Sequence, residues 1–240
     1  MQGPALRTEM HLSLHNNMAI SVHQLGAEQA PLLVIDNFLQ NPELLLDHAS
    51  QQSFEYNSPF YPGPRALAPK EFQLLLMSTL QLHAPSIFAL TGNKLSLALC
   101  HYSLVTTPAK QLKLLQRIPH FDSVEQNALA SVFYLFKQDF GGTSFYRHKK
   151  TGFEYIDASR QLTYYKSLES ENDGDNIPQE GYINGNTPLF ERINEQKGIF
   201  NRLIVYRRNS LHSGSIPTDF NFSDDPQKGR LTISSFIDCL

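Results

Sequence analysis

The order of apolar and polar positions predicts a first segment of both strands and helices, followed by a longer strand-rich segment. Residues 18–25 alternate apolar and polar side chains, and residues 31–39 are almost continuously apolar, so both predict strands. A helix is predicted over about 69–83 from apolar residues at helical spacing. Residues 57–66 hold three prolines and a glycine and predict a loop.

A further helix is predicted to begin at Asn41-Pro42. Asparagine suits the N-cap position, and proline suits the first helical residue because its missing N–H has no partner there anyway. On that register Leu44, Leu45 and His48 lie on one side of the helix.

From about residue 95 onward the pattern changes to a succession of strand-like runs. The Gly141-Gly142 pair between two of them predicts a β-hairpin. Residues 166–187 are acidic and turn-rich, which predicts a surface insertion with part of it acting as a lid. A short helix is predicted over 188–198, ending at Gly198. The strand-like runs cover 95–105, 112–121, 129–136, 143–150, 201–208 and 229–237.

Helices first and strands afterwards indicate an α+β, mainly β fold. The strand-rich part is long enough for a jelly-roll or double-stranded β-helix, a cupin-like core with the N-terminal helices packed outside it. We expect one domain over residues 1–240, with N-terminal strands and helices in 18–95. The β-helix core is expected over 96–238, with an insertion at about 150–198.

Composition excludes several functional classes. The net charge is −3 and no basic stripe is present, so nucleic acid is not an expected partner. No run of 18 apolar residues is present, so no membrane span is expected. Two cysteines are too few for a disulfide framework, and residues 1–30 lack the apolar core of a signal peptide. These features predict a cytoplasmic protein; a monomer and a homodimer both stay open.

The tripeptide His120-Phe121-Asp122 is the main candidate for chemistry. In a strand, residues i and i+2 point to the same face, so the imidazole and the carboxylate can converge while Phe121 packs on the other side. One further histidine completes a two-His, one-carboxylate triad, the arrangement suited to non-haem Fe(II). We expect His212 to supply it from a turn after the strand at 201–208.

An arginine follows these residues at the start of the last strand-like run. Arg230 offers a planar fork of donors that matches a carboxylate, and Thr232 lies on the same face two residues later. Together they suit the distal carboxylate of a dicarboxylic keto acid. A surface salt bridge is the ordinary alternative role for Arg230.

The order of these motifs resembles the 2-oxoglutarate/Fe(II)-dependent dioxygenases. YLFKQDFGGTSFY (134–146) and VIDNFLQNPELLLDHA (34–49) resemble the prolyl 4-hydroxylase-like branch of that superfamily. The resemblance extends over about residues 31–237. One departure is the interval from His212 to Arg230, which at 18 positions is longer than is usual in the family.

The resemblance implies both cofactors and the residues that hold them. Fe(II) would be held by His120, Asp122 and His212, and 2-oxoglutarate by Arg230 and Thr232. Tyr134 and Tyr102 would lie on strands that face the cofactor in relatives, although core packing is an equal alternative for both. The implied reaction is hydroxylation of a C–H bond in a small-molecule or peptide substrate, with release of succinate and CO2.

Two rival functions stay open at this stage. The first is a non-catalytic or degenerate β-helix protein that keeps a metal site without turnover. The second is a cupin-like metalloprotein that uses no keto acid. The substrate is not indicated by any motif, although the rigid loop Tyr61-Pro-Gly-Pro-Arg65 carries an arginine and a tyrosine suited to a substrate mouth.

Overall fold

The computed structural model describes residues 10–171 and 173–240. Within these ranges three α-helices are present: α1 (Glu43–Ala49), α2 (Lys70–Ile87) and α3 (Gln161–Ser170). The strands of the same ranges are β1 (Ala19–Leu25), β2 (Ala30–Asp36), β3 (Arg65–Leu67), β4 (Leu95–Val105), β5 (Ala128–Tyr134), β6 (Gly142–His148), β7 (Phe190–Lys197), β8 (Leu203–Arg207), β9 (His212–Ser215) and β10 (Arg230–Cys239).

The strands form two antiparallel sheets. The large sheet has the order β1-β2-β8-β5-β10-β4-β3, and the small sheet has the order β7-β6-β9. An isolated bridge between His120 and His212 adds one residue pair to the open edge of β9. The mainly β fold expected from the sequence is confirmed.

The chain alternates between the two sheets along its strand-rich part. After β4 in the large sheet it pairs with β9 at His120, then returns to the large sheet for β5. It next forms β6 and β7 in the small sheet, β8 in the large sheet, β9 in the small sheet and β10 in the large sheet. Strands distant in sequence thus lie side by side, and this is what brings His120 to His212.

The outer face of the large sheet packs against the N-terminal helices. Alternate residues of β4, β5 and β10 share one hydrophobic cluster with Phe72, Leu76, Leu80 and Ala84 of α2. Leu45 and Ala49 of α1 join the same cluster at helical spacing. The opposite face of the large sheet packs in a second cluster with Phe145 of the small sheet. Its residues there include Leu32, Ala130, Tyr134, Ile204 and Tyr206.

The predictions for β1, β2, β4, β5, β8 and β10 and for both N-terminal helices are confirmed in place. Two details of α1 are wrong. The helix begins at Glu43, with Pro42 as its N-cap in place of Asn41. Leu44 is exposed, because the buried residues Leu45 and Ala49 are four positions apart and Leu44 lies off that stripe.

The predicted hairpin at Gly141-Gly142 is wrong. β5 belongs to the large sheet and β6 to the small one, so the two strands do not pair. Both edges of β5 are already occupied, by β8 and β10, and no edge remains for β6. The glycine turn instead carries the chain from one sheet to the other.

The predicted helix over 188–198 is also wrong, because most of this range forms β7. β7 pairs with β6 through a register shift opposite Phe145 and Tyr146, where Ile193 has no partner residue. Between Phe190 and Ile193 this bulge shifts the alternation of side chains between the two faces of β7 by one residue. Their i, i+3 spacing therefore imitates a helix in the sequence.

Two other segments differ from their predictions. The strand predicted at 112–121 consists of 3-10 turns and loop, with Leu114 and Leu115 exposed, and only His120 pairs with another strand. The acidic insertion begins inside α3, a helix that the sequence patterns did not predict.

No helix within 10–171 and 173–240 has the length and apolar character needed to cross a bilayer.

Candidate metal centre

His120 and His212 are held together by their backbones. Each donates its amide N–H to the carbonyl of the other, at 2.9 Å in both directions. His212 was expected on a turn but is the first residue of β9, so its backbone is fixed by pairing with Phe145 of β6 as well. The two imidazole centroids lie 4.4 Å apart.

Asp122 is positioned from the end of β8. Its amide N–H donates to the Arg208 carbonyl at 2.8 Å, just after the last residue of that strand. Between the two polar residues, Phe121 turns away and packs edge-on to Tyr164 of α3 at 6.1 Å. The alternation expected for His120-Phe121-Asp122 is thus present, although only one residue of the tripeptide pairs as in a strand.

The three side chains converge on one point. The Asp122 carboxylate lies 3.8 Å from His120 Nε2 and 3.5 Å from His212 Nε2, each through a different oxygen. One ligand atom from each residue can be chosen so that all lie within 4.8 Å of one another. When an ion binds two ligand atoms at about 2.1 Å in adjacent octahedral positions, those two atoms lie about 3 Å from each other. Small side-chain rotations would close that difference, so the donor set fits a divalent metal.

The free ring nitrogen of His212 shows which tautomer is present. Nδ1 lies 2.9 Å from the Ser210 carbonyl, and a carbonyl can only accept, so Nδ1 carries the proton. Nε2 is left with its lone pair toward Asp122. The ring is also fixed by packing on Tyr206, with the centroids 4.7 Å apart. A backbone carbonyl behind the ring is a common way to orient a metal-binding histidine.

The electrostatics of His120 favour its neutral form. Desolvation lowers the pKa of the His120 imidazole, the adjacent His212 ring lowers it further, and Asp122 opposes both. About half of the side chain, 52%, is exposed, so water still reaches the ring and limits this effect. The neutral imidazole is the form that binds metals.

Arg230 is buried between the two sheets. Its Nε donates to the Phe140 carbonyl at 2.9 Å and its Nη2 to the Gly142 carbonyl at 2.7 Å. A Cβ built on Gly214 would lie 3.9 Å from Nη2, so the guanidinium faces β9 two residues beyond His212. Two residues of strand correspond to about 7 Å. The long 212–230 loop therefore still returns Arg230 to the neighbourhood of the triad.

Thr232 and Tyr134 are directly opposite each other on β10 and β5. Both are buried, and the Tyr134 hydroxyl donates to Thr143 Oγ1 of β6 at 2.8 Å. Burial raises the pKa of Tyr134 to about 12, against smaller lowering effects from Thr143 and Arg230. The structure thus brings Tyr134, Thr232 and Arg230 together between the sheets.

Tyr102 is not part of this group. Its ring is buried in the outer cluster with α1, and its hydroxyl donates to the Leu45 carbonyl at 3.1 Å. Because neighbouring strand residues alternate between faces, Ser103 points toward Thr232 and Tyr102 points away from it. Tyr102 therefore lies on the helix side of the large sheet, apart from Tyr134, Thr232 and Arg230.

Tyr61 and Arg65, which the sequence placed on a rigid loop suited to a substrate mouth, lie together in the structure. Arg65 stacks on the Tyr61 ring, with its guanidinium carbon 4.4 Å from the ring centroid. Arg65 lies near enough to Asp122 and His120 for their charges to interact: burial lowers the pKa of Arg65 and Asp122 opposes that shift, whereas Arg65 adds to the lowering of the His120 pKa by burial. Only its position on β3, beside β4, reveals this, because the sequence interval of 55 residues from Arg65 to His120 carries no such signal.

Part of the acidic insertion closes over the arginine. The Tyr182 hydroxyl donates to the Thr107 carbonyl at 2.7 Å, and its ring packs beside Phe222 of the 212–230 loop. Burial raises the pKa of Tyr182, and Arg230 is close enough to oppose that shift. Tyr182 is therefore the part of the insertion that lies over the Arg230 end of the site.

Three solved structures have folds similar to this chain. SnoN, a non-heme alpha ketoglutarate dependent epimerase from nogalamycin biosynthesis, is 14% identical with a TM-score of 0.42, over 80% of this chain and 70% of that chain. HygX from Streptomyces hygroscopicus, with nickel, 2-oxoglutarate and hygromycin B bound, is 11% identical with a TM-score of 0.44, over 87% and 82%. AviO1 from Streptomyces viridochromogenes Tue57 is 11% identical with a TM-score of 0.45, over 92% and 89%. Likeness at this level does not establish a function.

The fold and the site together define a mainly β protein with a candidate metal centre of two histidines and one carboxylate. A family model, described as a family of unknown function (DUF6445), matches residues 16–237, and the chain belongs to this family. Comparison with curated proteins gives no match.

Proposed function

We propose that this protein is an Fe(II)- and 2-oxoglutarate-dependent oxygenase that hydroxylates a C–H bond of a small-molecule or peptide substrate. The observation that carries the proposal is the convergence of His120, Asp122 and His212, with the His212 tautomer fixed by Ser210. Two imidazoles and one carboxylate leave three coordination positions open, which is the donor set of non-haem Fe(II) oxygenases.

In this proposal the three residues hold the iron, which supplies oxygen activation coupled to decarboxylation of the keto acid. The protein's own contribution is geometry. Reciprocal backbone bonds fix the two histidines, and the Arg208 carbonyl fixes Asp122. Backbone hydrogen bonds therefore align all three ligands.

Arg230 is suited to anchor the distal carboxylate of 2-oxoglutarate. A guanidinium has five N–H donors, of which Phe140 and Gly142 occupy two. The remaining donors, in a site that excludes most water, can bind a carboxylate strongly. The guanidinium faces β9 near Gly214, two residues from His212, so a five-carbon dicarboxylate has the length to reach from one residue to the other.

The order of strands supports the same proposal. The chain alternates between two antiparallel sheets, with large-sheet order β8-β5-β10-β4 and small-sheet order β7-β6-β9. This order is consistent with the double-stranded β-helix that we propose for the core. Iron ligands on the small-sheet side and the anchor on β10 would then lie between the sheets.

The direct test compares wild-type protein with Asp122→Ala and with Glu125→Ala, which removes an exposed carboxylate three residues away. Anaerobic calorimetry measures Fe(II) affinity, and NMR measures succinate formed from 2-oxoglutarate under oxygen without substrate. We expect both properties in the wild type and in Glu125→Ala and neither in Asp122→Ala. Equal Fe(II) affinity in all three proteins would overturn the metal centre.

One observation favours a second candidate, a metal-binding protein without turnover. Two Arg230 donors are already bonded to backbone carbonyls, and such a bonded arginine can serve structure alone. Fe(II) binding at the triad with no 2-oxoglutarate affinity and no succinate would select this candidate over the oxygenase.

A further inference from the structure

The loop from Tyr61 to Arg65 is fastened along β4. The Leu104 amide donates to the Pro64 carbonyl at 3.1 Å, and the Thr106 and Thr107 amides donate to the Pro62 carbonyl at 3.2 and 3.1 Å. Gly63 packs so closely on the Leu104 carbonyl that a Cβ would overlap it. The two ends of the loop are thus held in fixed positions beside the sheet.

The Arg65 side chain forms no ion pair within 4 Å in the described part of the chain, although its backbone pairs with that of the exposed Glu55 and Asp122 acts on it from a longer distance. Its Nε is buried without a hydrogen bond, and no carboxylate lies within 4 Å of its guanidinium. Five other arginines each contact a carboxylate: Arg147, Arg160, Arg192, Arg202 and Arg208. Three more donate to backbone carbonyls: Arg117, Arg207 and Arg230. Burying the Nε–H of Arg65 without an acceptor costs free energy, and a bound anion would remove that cost.

Two other polar groups lie near this guanidinium. The Tyr61 hydroxyl is buried beside Thr232 and Ser103, and His101 Nδ1 is buried without a hydrogen bond. Burial lowers the pKa of His101 and Arg65 lowers it further, so the ring is neutral beside the cation. His101 pairs with Leu67 and Arg65 with Ser103, which places Arg65 on the outer strand β3 and His101 on the adjoining β4. Arg65 also lies near enough to Asp122 and His120 for their charges to interact.

The charges of a divalent ion, the two arginines and Asp122 do not balance without a further anion. Arg65, Arg230 and a divalent ion are positive, whereas Asp122 is the only acidic residue of the triad. The two carboxylates of 2-oxoglutarate would offset part of this excess and still leave one positive charge. Arg230 is buried, whereas Arg65 is partly exposed and lies near the half-exposed His120; Tyr61 is close to both arginines.

We infer that Arg65, held flat on Tyr61, recognises a carboxylate of the substrate and so restricts the oxygenase to anionic substrates. This inference rests on the proposed function, because it takes the position at Arg230 to belong to the keto acid. The planar guanidinium can bind a carboxylate through two parallel hydrogen bonds, and the Tyr61 ring sets its plane.

The test uses acetate as the smallest carboxylate and acetamide as its uncharged counterpart. Wild-type protein, Arg65→Met and Arg65→Lys are loaded with Mn(II) and 2-oxoglutarate, and proton relaxation of each probe is measured by NMR. Lys110→Met, which also removes one positive charge from an exposed position, is the matched control. Thermal melts confirm that each variant is folded, and Mn(II) electron paramagnetic resonance and calorimetry measure metal and 2-oxoglutarate affinity.

We expect Mn(II) to relax acetate but not acetamide in the wild type and in Lys110→Met. The effect should fall at least about fivefold in Arg65→Met and less in Arg65→Lys, while 2-oxoglutarate affinity stays within about twofold. Equal acetate relaxation in Arg65→Met would overturn the inference. A parallel loss of 2-oxoglutarate affinity would overturn it differently, by assigning Arg65 to the keto acid. Free Mn(II) in the wild type would instead refute the metal centre on which the inference depends.

Discussion

The Nδ1–H of His212 donates a 2.9 Å hydrogen bond to the carbonyl of Ser210, two residues earlier in the chain. The contact lies where the chain passes from β8 to β9, and it turns Nε2 toward Asp122. A short connection between two sheets thus both places the histidine and selects its tautomer.

Replacing His212 should remove metal binding. We expect His212→Ala to lower Fe(II) or Mn(II) affinity by more than about 100-fold, since even outer contacts of a ligand are worth about 10–100-fold. His23→Ala, which removes an exposed histidine on β1, should leave the affinity unchanged. Anaerobic calorimetry gives both values; a His212→Ala variant that keeps wild-type affinity contradicts the triad.

Replacing Arg230 should separate the cofactor from the metal. We expect Arg230→Met to lower 2-oxoglutarate affinity by about 10- to 100-fold, the worth of hydrogen bonds to a charged group, with metal affinity retained. The variant should also be less stable, because the Phe140 and Gly142 carbonyls lose their donors. Titration of the metal-loaded protein measures the affinity. An unchanged value would confine Arg230 to a structural role.

Tyr102 and Tyr134 should respond differently to removal of their hydroxyls. Tyr102→Phe loses the bond to the Leu45 carbonyl, so we expect the free energy of unfolding to fall by about 1 kcal/mol with no change in 2-oxoglutarate affinity. Tyr134→Phe loses the contact with Thr143 inside the site and should weaken 2-oxoglutarate binding. Urea unfolding and ligand titration of both variants decide this; weaker binding in Tyr102→Phe alone would reverse the assignment.

Glu154 is the carboxylate whose loss should cost the most stability. It is buried and accepts hydrogen bonds from the Ala27 and Glu28 amides and from Arg147. Removing one partner of a buried ion pair costs about 3–5 kcal/mol, so Glu154→Ala should approach that loss in urea unfolding. Glu191→Ala tests the same Arg147 from a half-exposed position and should cost about 1 kcal/mol or less. Similar losses for the two variants would contradict this ranking.

The two cysteines should differ in reactivity with pH. Burial raises the pKa of Cys100 to about 11, only partly offset by the hydrogen bond from Ser235, so its thiolate is scarce at pH 8. Cys239 is partly exposed and should be alkylated first. Labelling of Cys100 in a Cys239→Ser variant should speed up with each pH unit toward 11. Mass spectrometry after timed quenching checks this, with Cys100→Ser as the reference for Cys239; equal rates at pH 8 would refute the difference.

Local patterns were sufficient where burial follows the spacing of the element itself. The helix α2 followed from its apolar stripe, which packs in one cluster. The strand β2 followed from its continuous apolar run, because its two faces are buried in different clusters. The patterns failed where contacts with other strands determine which side chains face the core and which strands pair. A bulge at Ile193 made a strand look helical, and the occupied edges of β5 converted a hairpin signal into a crossover between sheets.

The sequence alone determined the types of side chain available to the site: His120, Asp122 and His212 as possible ligands, and Arg230 with Thr232 as an anion anchor. Only the tertiary structure decided which of them meet, because the convergence depends on pairing between segments about 90 residues apart. It also placed Tyr102 on the helix side of the large sheet and placed Arg65 of the 61–65 loop near Asp122 and His120. Strand alternation and sheet order fix those directions, and neither can be read from a single strand.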